Sequence, residues 1–287
     1  MPTGILIVDK PQDWTSHDVV AKLRGVYREK RIGHAGTLDP MATGVLPVFL
    51  GRATRVVEFA IEGEKEYLAG LTLGITTDTQ DTTGNVLKER PVTVSQADLE
   101  GILSQFTGDI TQIPPMYSAI KIKGKKLYEL ARKGQEVERP PRPITISRLE
   151  LLPRVGEVYP LRVTCSKGTY VRTLCHDIGE VLGCGGVMSS LQRVKAVGFT
   201  IEQSHSLESI IQSKDPNSLL LPTDSFFPQP QLKLEDWQVE KTRNGTPFLA
   251  EGVANGTYRT YAQDGTFLAL CTVDACRVTT VKSFFEV

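Results

Sequence analysis

The chain has 287 residues, 40% hydrophobic and 23% charged, ordinary globular values that exclude a disordered, collagen-like or coiled-coil protein. Thirty-three Lys and Arg offset thirty-three Asp and Glu, which excludes the strongly basic chromatin or ribosomal class while leaving room for local basic patches. This length suits about two domains with a sizeable core.

No apolar run is long enough to span a membrane. The opening stretch meets Asp9 and Lys10 after a short apolar run and lacks the basic region and cleavage site of a signal peptide. Five cysteines with no C-x-x-C pair read as reduced thiols in a cytoplasmic protein, each a small buried hydrophobe.

In chain order, residues 4–8 (GILIV) form a β-branched apolar run and predict a buried strand. A turn around Pro11 and Asp13 follows. Ser16 and Asp18 are candidate N-caps for a helix carrying Val19, Val20, Leu23 and Val26 at helical spacing. Residues 31–40 (RIGHAGTLDP) are glycine-rich, end in proline and predict a loop. Alternation over 67–73 predicts a strand, and the Thr- and Asp-rich stretch 74–84 a polar loop.

Ser95 three residues before Asp98 predicts a capped amphipathic helix over 95–106. Residues 161–165 read as a strand, 166–169 as a turn, and 171–182 as a helix with Val171, Leu174, Cys175, Ile178 and Leu182 on one face. Strands and helices without a regular βαβ beat point to an α+β fold. The proline-rich segment 216–230 reads as a linker or draping segment. Beyond it, short β-type runs at 258–262, 267–272 and 277–281 between Gly and Asp turns predict a small all-β barrel.

Basic residues cluster. Residues 119–148 hold nine, opposed only by Glu129, Glu136 and Glu138, and 22–55 hold a second group. Together they suit a polyanion, or else a solvated surface with no partner.

Three places hold polar groups that a purely structural chain does not need. Asp39, in 33–40 (GHAGTLDP) beside His34, could act as nucleophile, base or metal ligand. It could equally cap a helix beginning at Pro40, which local evidence favours. Arg172, in the first turn of a predicted helix, needs a carboxylate partner, and Asp39 is one candidate among many acids. Tyr67 at a strand start could stack on a planar ligand or simply fill core. The chain has no Walker phosphate loop, zinc-deaminase signature, H-E-x-x-H pair or G-x-S-x-G elbow. What remains is an active site built on Asp with no cofactor and no metal.

Lys10-Pro11 with 15–18 (TSHD), 34–47 (HAGTLDPMATGVLP), 118–134 (SAIKIKGKKLYELARKG) and 165–174 (CSKGTYVRTL), in this order, resemble the tRNA pseudouridine synthases of the TruB type. These modify uridine 55 in the T loop, and the G-T-L-D-P run is highly specific to them. The resemblance implies a mixed, largely antiparallel sheet flanked by helices, a catalytic domain over 1–225 with an RNA-clamping basic segment at 119–148, and a PUA-like RNA-binding barrel over 230–287. By the same resemblance Asp39 is the catalytic nucleophile or base. Tyr67 stacks on the target base and is placed to help remove the C5 proton, while Arg172 pairs with Asp39. Tyr170 lines the pocket, His34 packs among displaced T-loop nucleotides, Leu191 touches the base and Lys10 supports the pocket from the first strand. Where the family pattern has two arginines after that leucine, this chain has Gln192 in place of the first.

The implied activity is isomerisation of uridine to pseudouridine in tRNA by a monomer that contacts the T loop and T stem and needs no protein partner. The alternative from another class is a non-catalytic RNA chaperone working through the basic segments and tail. A small-substrate hydrolase with a carboxylate nucleophile would leave both of those features unused.

Overall fold

The computed structural model describes residues 1–122 and 124–285, so Lys123 of the basic run and residues 286–287 of the expected barrel lie outside the described residues. The β-branched run folds as strand β1 (Gly4–Lys10), buried along almost its whole length. Helix α1 (Ser16–Tyr27) follows and turns Val19, Val20 and Leu23 inward. Its N-cap is Thr15, not Ser16 or Asp18. The Thr15 hydroxyl accepts from the Asp18 backbone N–H at 3.0 Å, and the Asp18 carboxylate accepts from the Thr15 N–H at 3.0 Å. That reciprocal box leaves the Ser16 hydroxyl free for another task.

The expected loop over 31–40 begins as a short strand, β2 (Ile32–His34), because it can pair along β3 (Thr43–Leu50). Strand β4 (Lys65–Leu73) takes the expected place and starts two residues earlier. The polar stretch 74–84 is a loop except for Ile75–Thr77, which pairs with Val86–Glu89.

One mixed sheet organises the chain. Its order is His205–Ser206, β1, β3, Gly186–Ala196, β4, Val158–Cys165, Arg142–Leu151, Gly108–Gln112. Neighbours run antiparallel except at two short parallel joins, His205–Ser206 on β1 and Gly186–Ala196 on β3. At the second join Arg193 pairs with Gly44 so closely that a Cβ on Gly44 would stand 2.2 Å from the Arg193 carbonyl oxygen. With φ at +99° as well, only glycine fits there.

Helix Val171–Val181 packs on one face of the sheet through Val171, Leu174, Cys175 and Ile178, as its spacing predicts. Ser95 and Asp98 form the expected capping box on Gln96–Ile102. Over β1 and β3, α1 closes a second core with Leu6, Val8, Leu46 and Val48.

The tail is a five-stranded sheet curled into a half-barrel, ordered Gln231–Lys233, Gly256–Tyr261, Phe267–Asp274, Arg277–Ser283, Phe248–Leu249, and it carries the helix Asp236–Arg243. The proline-rich segment drapes over the first strand. Leu221 and Ile5 exchange backbone hydrogen bonds of 2.8 and 2.9 Å. Phe226 and Phe227 then enter a core shared by Ala35, Phe49, Phe199, Leu270 and Phe284, so tail and main sheet are packed as one body. Arg55 adds a 2.7 Å hydrogen bond to the Ser283 carbonyl, and Lys282 pairs with Glu58.

The basic run splits. Lys121–Ile122 and Lys125–Lys126 form a hairpin, and helix Leu127–Ala131 sits over a small core of Met116, Leu127 and Leu130. Arg142 and Arg148 belong to a strand of the main sheet.

Candidate active site

Asp39 sits in an irregular loop between β2 and β3. No helix follows Pro40: the Ala42 N–H closes a turn onto the Asp39 carbonyl at 3.1 Å, and β3 starts at Thr43. The cap reading is thereby overturned, because three residues separate Asp39 from a strand already committed to pairing.

Its backbone is fixed from several sides. The Ser16 hydroxyl accepts from the Leu38 N–H at 2.9 Å and donates to the Leu38 carbonyl at 3.3 Å. The fully buried Lys10 ammonium donates to the carbonyls of Pro11 (2.9 Å), Trp14 (2.6 Å) and Pro40 (3.2 Å). Ala35 and Asp13 add backbone bonds to Pro47 and Pro40. A loop tied at so many points presents its carboxylate in one orientation.

The guanidinium of Arg172 meets that carboxylate. Nε of Arg172 lies 2.9 Å from Asp39 Oδ2; the arginine side chain is 7% exposed and the aspartate 41%. The same guanidinium donates to the carbonyls of Thr79 (3.0 Å) and Tyr117 (2.9 Å) and faces Asp81 at 3.5 Å. Asp81 is itself buried and held through Oδ1 by Thr79 Oγ1, the Thr83 N–H and Thr83 Oγ1. Arg172 thus joins the Asp39 loop, the 78–85 loop and the foot of the basic insertion.

Tyr67, Tyr170 and Lys10 all lie close enough to feel the charge of Asp39. Tyr67 lies in β4, directly across the ladder from Arg193, and packs on the core that contains Leu38 and Leu191. Burial pushes its phenol up, with the Arg193 charge pulling the other way and Asp39 adding to the rise. Burial also pushes the Tyr170 phenol up, and Asp39 is again among the charges it feels. The Tyr170 backbone is clamped by the buried Gln112 amide, which accepts from its N–H at 2.8 Å and donates to its carbonyl at 3.0 Å.

Lys10 is drawn down to about 8 by burial, against the opposing pull of Asp39 and Asp13. Burial, then the charges of Arg193 and His17, push His34 below the ordinary histidine value, which keeps it neutral at pH 7. Its Nδ1 is buried with no hydrogen-bond partner among the described residues.

Three participants escaped the sequence reading. Asp81 lay in a polar loop with nothing to separate it from a surface aspartate, although T-x-D-x-T places a hydroxyl on either side of it. Gln112 carried no signal at all. Arg193 followed the one position that departs from the family pattern, yet it is 1% exposed, with Nε donating to the Val45 carbonyl at 2.7 Å and Nη2 to the Gly36 carbonyl at 2.9 Å. It has no ion-pair partner among the described residues. Ser16, a candidate helix cap by sequence, instead holds the Asp39 loop.

Comparison with known proteins gives a consistent picture. A family model described as TruB family pseudouridylate synthase (N terminal domain) matches residues 24–171, and one described as tRNA pseudouridylate synthase B C-terminal domain matches 172–227. A tRNA pseudouridine synthase B of Alkaliphilus oremlandii is 50% identical over 221 residues, covering 77% of this chain and 74% of the relative. One from Clostridium kluyveri is 42% identical over 273 residues, covering 93% and 94%. Among solved structures, a Cbf5-Nop10-Gar1 complex aligns with a TM-score of 0.74 at 25% identity, covering 99% of this chain and 86% of the matched one. An H/ACA RNP bound to a substrate RNA containing 2′-deoxyuridine aligns at 0.73 with 23% identity, covering 99% and 85%, a likeness of fold that extends through the tail.

Proposed function

The chain belongs to the TruB family of pseudouridylate synthases, isomerases of uridine in RNA, and from that premise we propose that it converts uridine 55 in the T loop of tRNA to pseudouridine with Asp39 as nucleophile or base. The observation that carries this reading is the Asp39–Arg172 pair: a carboxylate open to the surface, gripped at 2.9 Å by a guanidinium that is not. Moving the glycosidic link from N1 to C5 requires the bond to break, the uracil to turn and a new bond to form before the base escapes. A carboxylate starts each available route, whether by attack at C1′, by attack at C6 or by taking the C2′ proton. In all three Asp39 must be aimed, which a fixed guanidinium provides.

A uridine within a folded loop must be flipped out, at a cost of a few kcal/mol. Tyr67 stacking on the base offsets about 1–3 kcal/mol of that, with Leu191 against its edge and Tyr170 lining the pocket. His34, neutral and half-buried at the loop entrance, packs where T-loop nucleotides are displaced. Lys10 supports the pocket through Pro40. The basic segment 119–148 closes on the T stem, tied to the site through the Tyr117 carbonyl on Arg172, and the tail over 230–287 extends the RNA-binding surface. Five free cysteines, four of them buried, support a reducing compartment, the cytoplasm.

The test is Asp39→Asn. It should fold and bind tRNA as the parent does and release no tritium from tRNA labelled at uridine C5. Release equal to the parent's would remove Asp39 from the chemistry, and a parent that itself releases none would favour the chaperone reading. That reading in turn requires function to be lost on charge reversal at Lys121, Lys125 and Lys126.

A further inference from the structure

We infer, resting on the proposed roles of Asp39 and Tyr67, that Arg193 is a positioning residue that sets the Asp39 loop in register with the Tyr67 strand. Its guanidinium bridges the two ends of that loop, donating to the Gly36 carbonyl at the entrance (2.9 Å) and to the Val45 carbonyl at the exit (2.7 Å). Its backbone is the cross-strand partner of Gly44 on one side and of Tyr67 on the other. Lys10 and Ser16 also hold the loop, but from β1 and α1. Neither belongs to a strand paired with β4.

Two features separate this arrangement from ordinary packing. A guanidinium at 1% exposure with no carboxylate partner among the described residues is costly to bury, and an apolar side chain would fill the same space more cheaply. The ladder register also shifts immediately after Arg193, between it and Lys195, the kind of bulge that re-aims a side chain beside a site. Gly36, at φ +79°, lies so close that a Cβ there would stand 3.1 Å from Arg193 Nη1, so the loop backbone rests directly on the guanidinium. The net effect is to hold the attacking carboxylate and the stacking phenol at one separation.

The experiment compares Arg193→Met and Arg193→Lys with the parent by single-turnover tritium release at saturating tRNA, tRNA affinity, and amide exchange at Leu38 and Ala42. Misplacement of reacting groups by about 1 Å costs on the order of 100-fold, so the Met variant should lose about that much in saturating rate while tRNA affinity changes by less than about threefold. The Lys variant, able to reach only one carbonyl at a time, should lose about tenfold, and exchange at the two amides should accelerate in both. A purely structural role would lower melting temperature and affinity and leave the saturating rate of bound enzyme unchanged. That result overturns the inference, as does unchanged exchange at Leu38 and Ala42. Should the Met variant fail to fold, the Lys variant decides on the same criteria. If Asp39→Asn stays active, the reading of the site itself has failed. If it is dead while both Arg193 variants keep the parent's saturating rate, only the role of Arg193 has.

Discussion

Replacing Arg172 with Met tests whether the guanidinium is as central as its contacts indicate. The substitution removes donors from the Thr79 and Tyr117 carbonyls and strips the buried Asp81 of its counter-ion. An orphaned carbonyl costs about 1–3 kcal/mol and a buried charge left without its partner about 3–5 kcal/mol. These overlap, and the 3.5 Å separation from Asp81 is long, so a total of about 3–5 kcal/mol is expected. Asp39 adds little to that figure, since its half-exposed carboxylate can be rehydrated. Against a net stability of about 5–15 kcal/mol this is a large fraction.

Urea unfolding followed by circular dichroism reads the loss, and tritium release should fall by at least about 100-fold with it. The decisive arm is the double variant Arg172→Met with Asp81→Asn. Removing the stranded charge should restore about 1–2 kcal/mol, because the penalty comes from an uncompensated carboxylate and not from lost packing. A single-variant loss below about 1 kcal/mol, or a double variant no more stable than the single, would refute the reasoning.

Two other outcomes follow from the geometry. The buried Lys10 titrates at about 8 when folded and at the ordinary lysine value of 10.5 when unfolded. The unfolded chain therefore holds more protons between those values, and stability rises with pH across the window, by about 2 kcal/mol from pH 8 to 9.5. Unfolding of the parent and of Lys10→Met at pH 7.5 and 9.5 checks it: equal pH slopes would show that Lys10 is not responsible. Phe227 touches Phe59, Phe226, Phe267 and Phe284 with ring centroids 5.1–6.2 Å away, so Phe227→Ala should cost about 3–5 kcal/mol. Because the tail shares that core, calorimetry should show it separating from the main sheet as an earlier transition; a single transition at the parent temperature would contradict shared packing.

Much was readable from local pattern. The β-branched run became β1, the Ser95–Asp98 spacing became a capping box, and the apolar stripe after Tyr170 became a buried helix face. Each depends on neighbours within a turn or a pleat, where backbone sterics and side-chain periodicity act with no help from the rest of the molecule. Local pattern failed where a distant strand competed. Residues 32–34 read as loop because their glycine content hid an edge that β3 could pair, and the Asp39-Pro40 step read as a helix cap because only β3 excludes a helix there.

The motif around Asp39 named the central acid, and the Y-V-R run named its partner. Their meeting across 133 positions, however, depended on helix Val171–Val181 packing against the sheet that ends the Asp39 loop. Asp81 and Arg193 show the same limit more sharply. An aspartate in a polar loop and an arginine in a strand have no local mark of burial, since the groups that desolvate and satisfy them come from elements far away in the chain. Chain-local chemistry was enough to say which side chains carry charge, cap helices and favour strands. Which of those charges lose their water, and against what partner, was decided only when the sheet brought β3, β4 and the Gly186–Ala196 strand side by side.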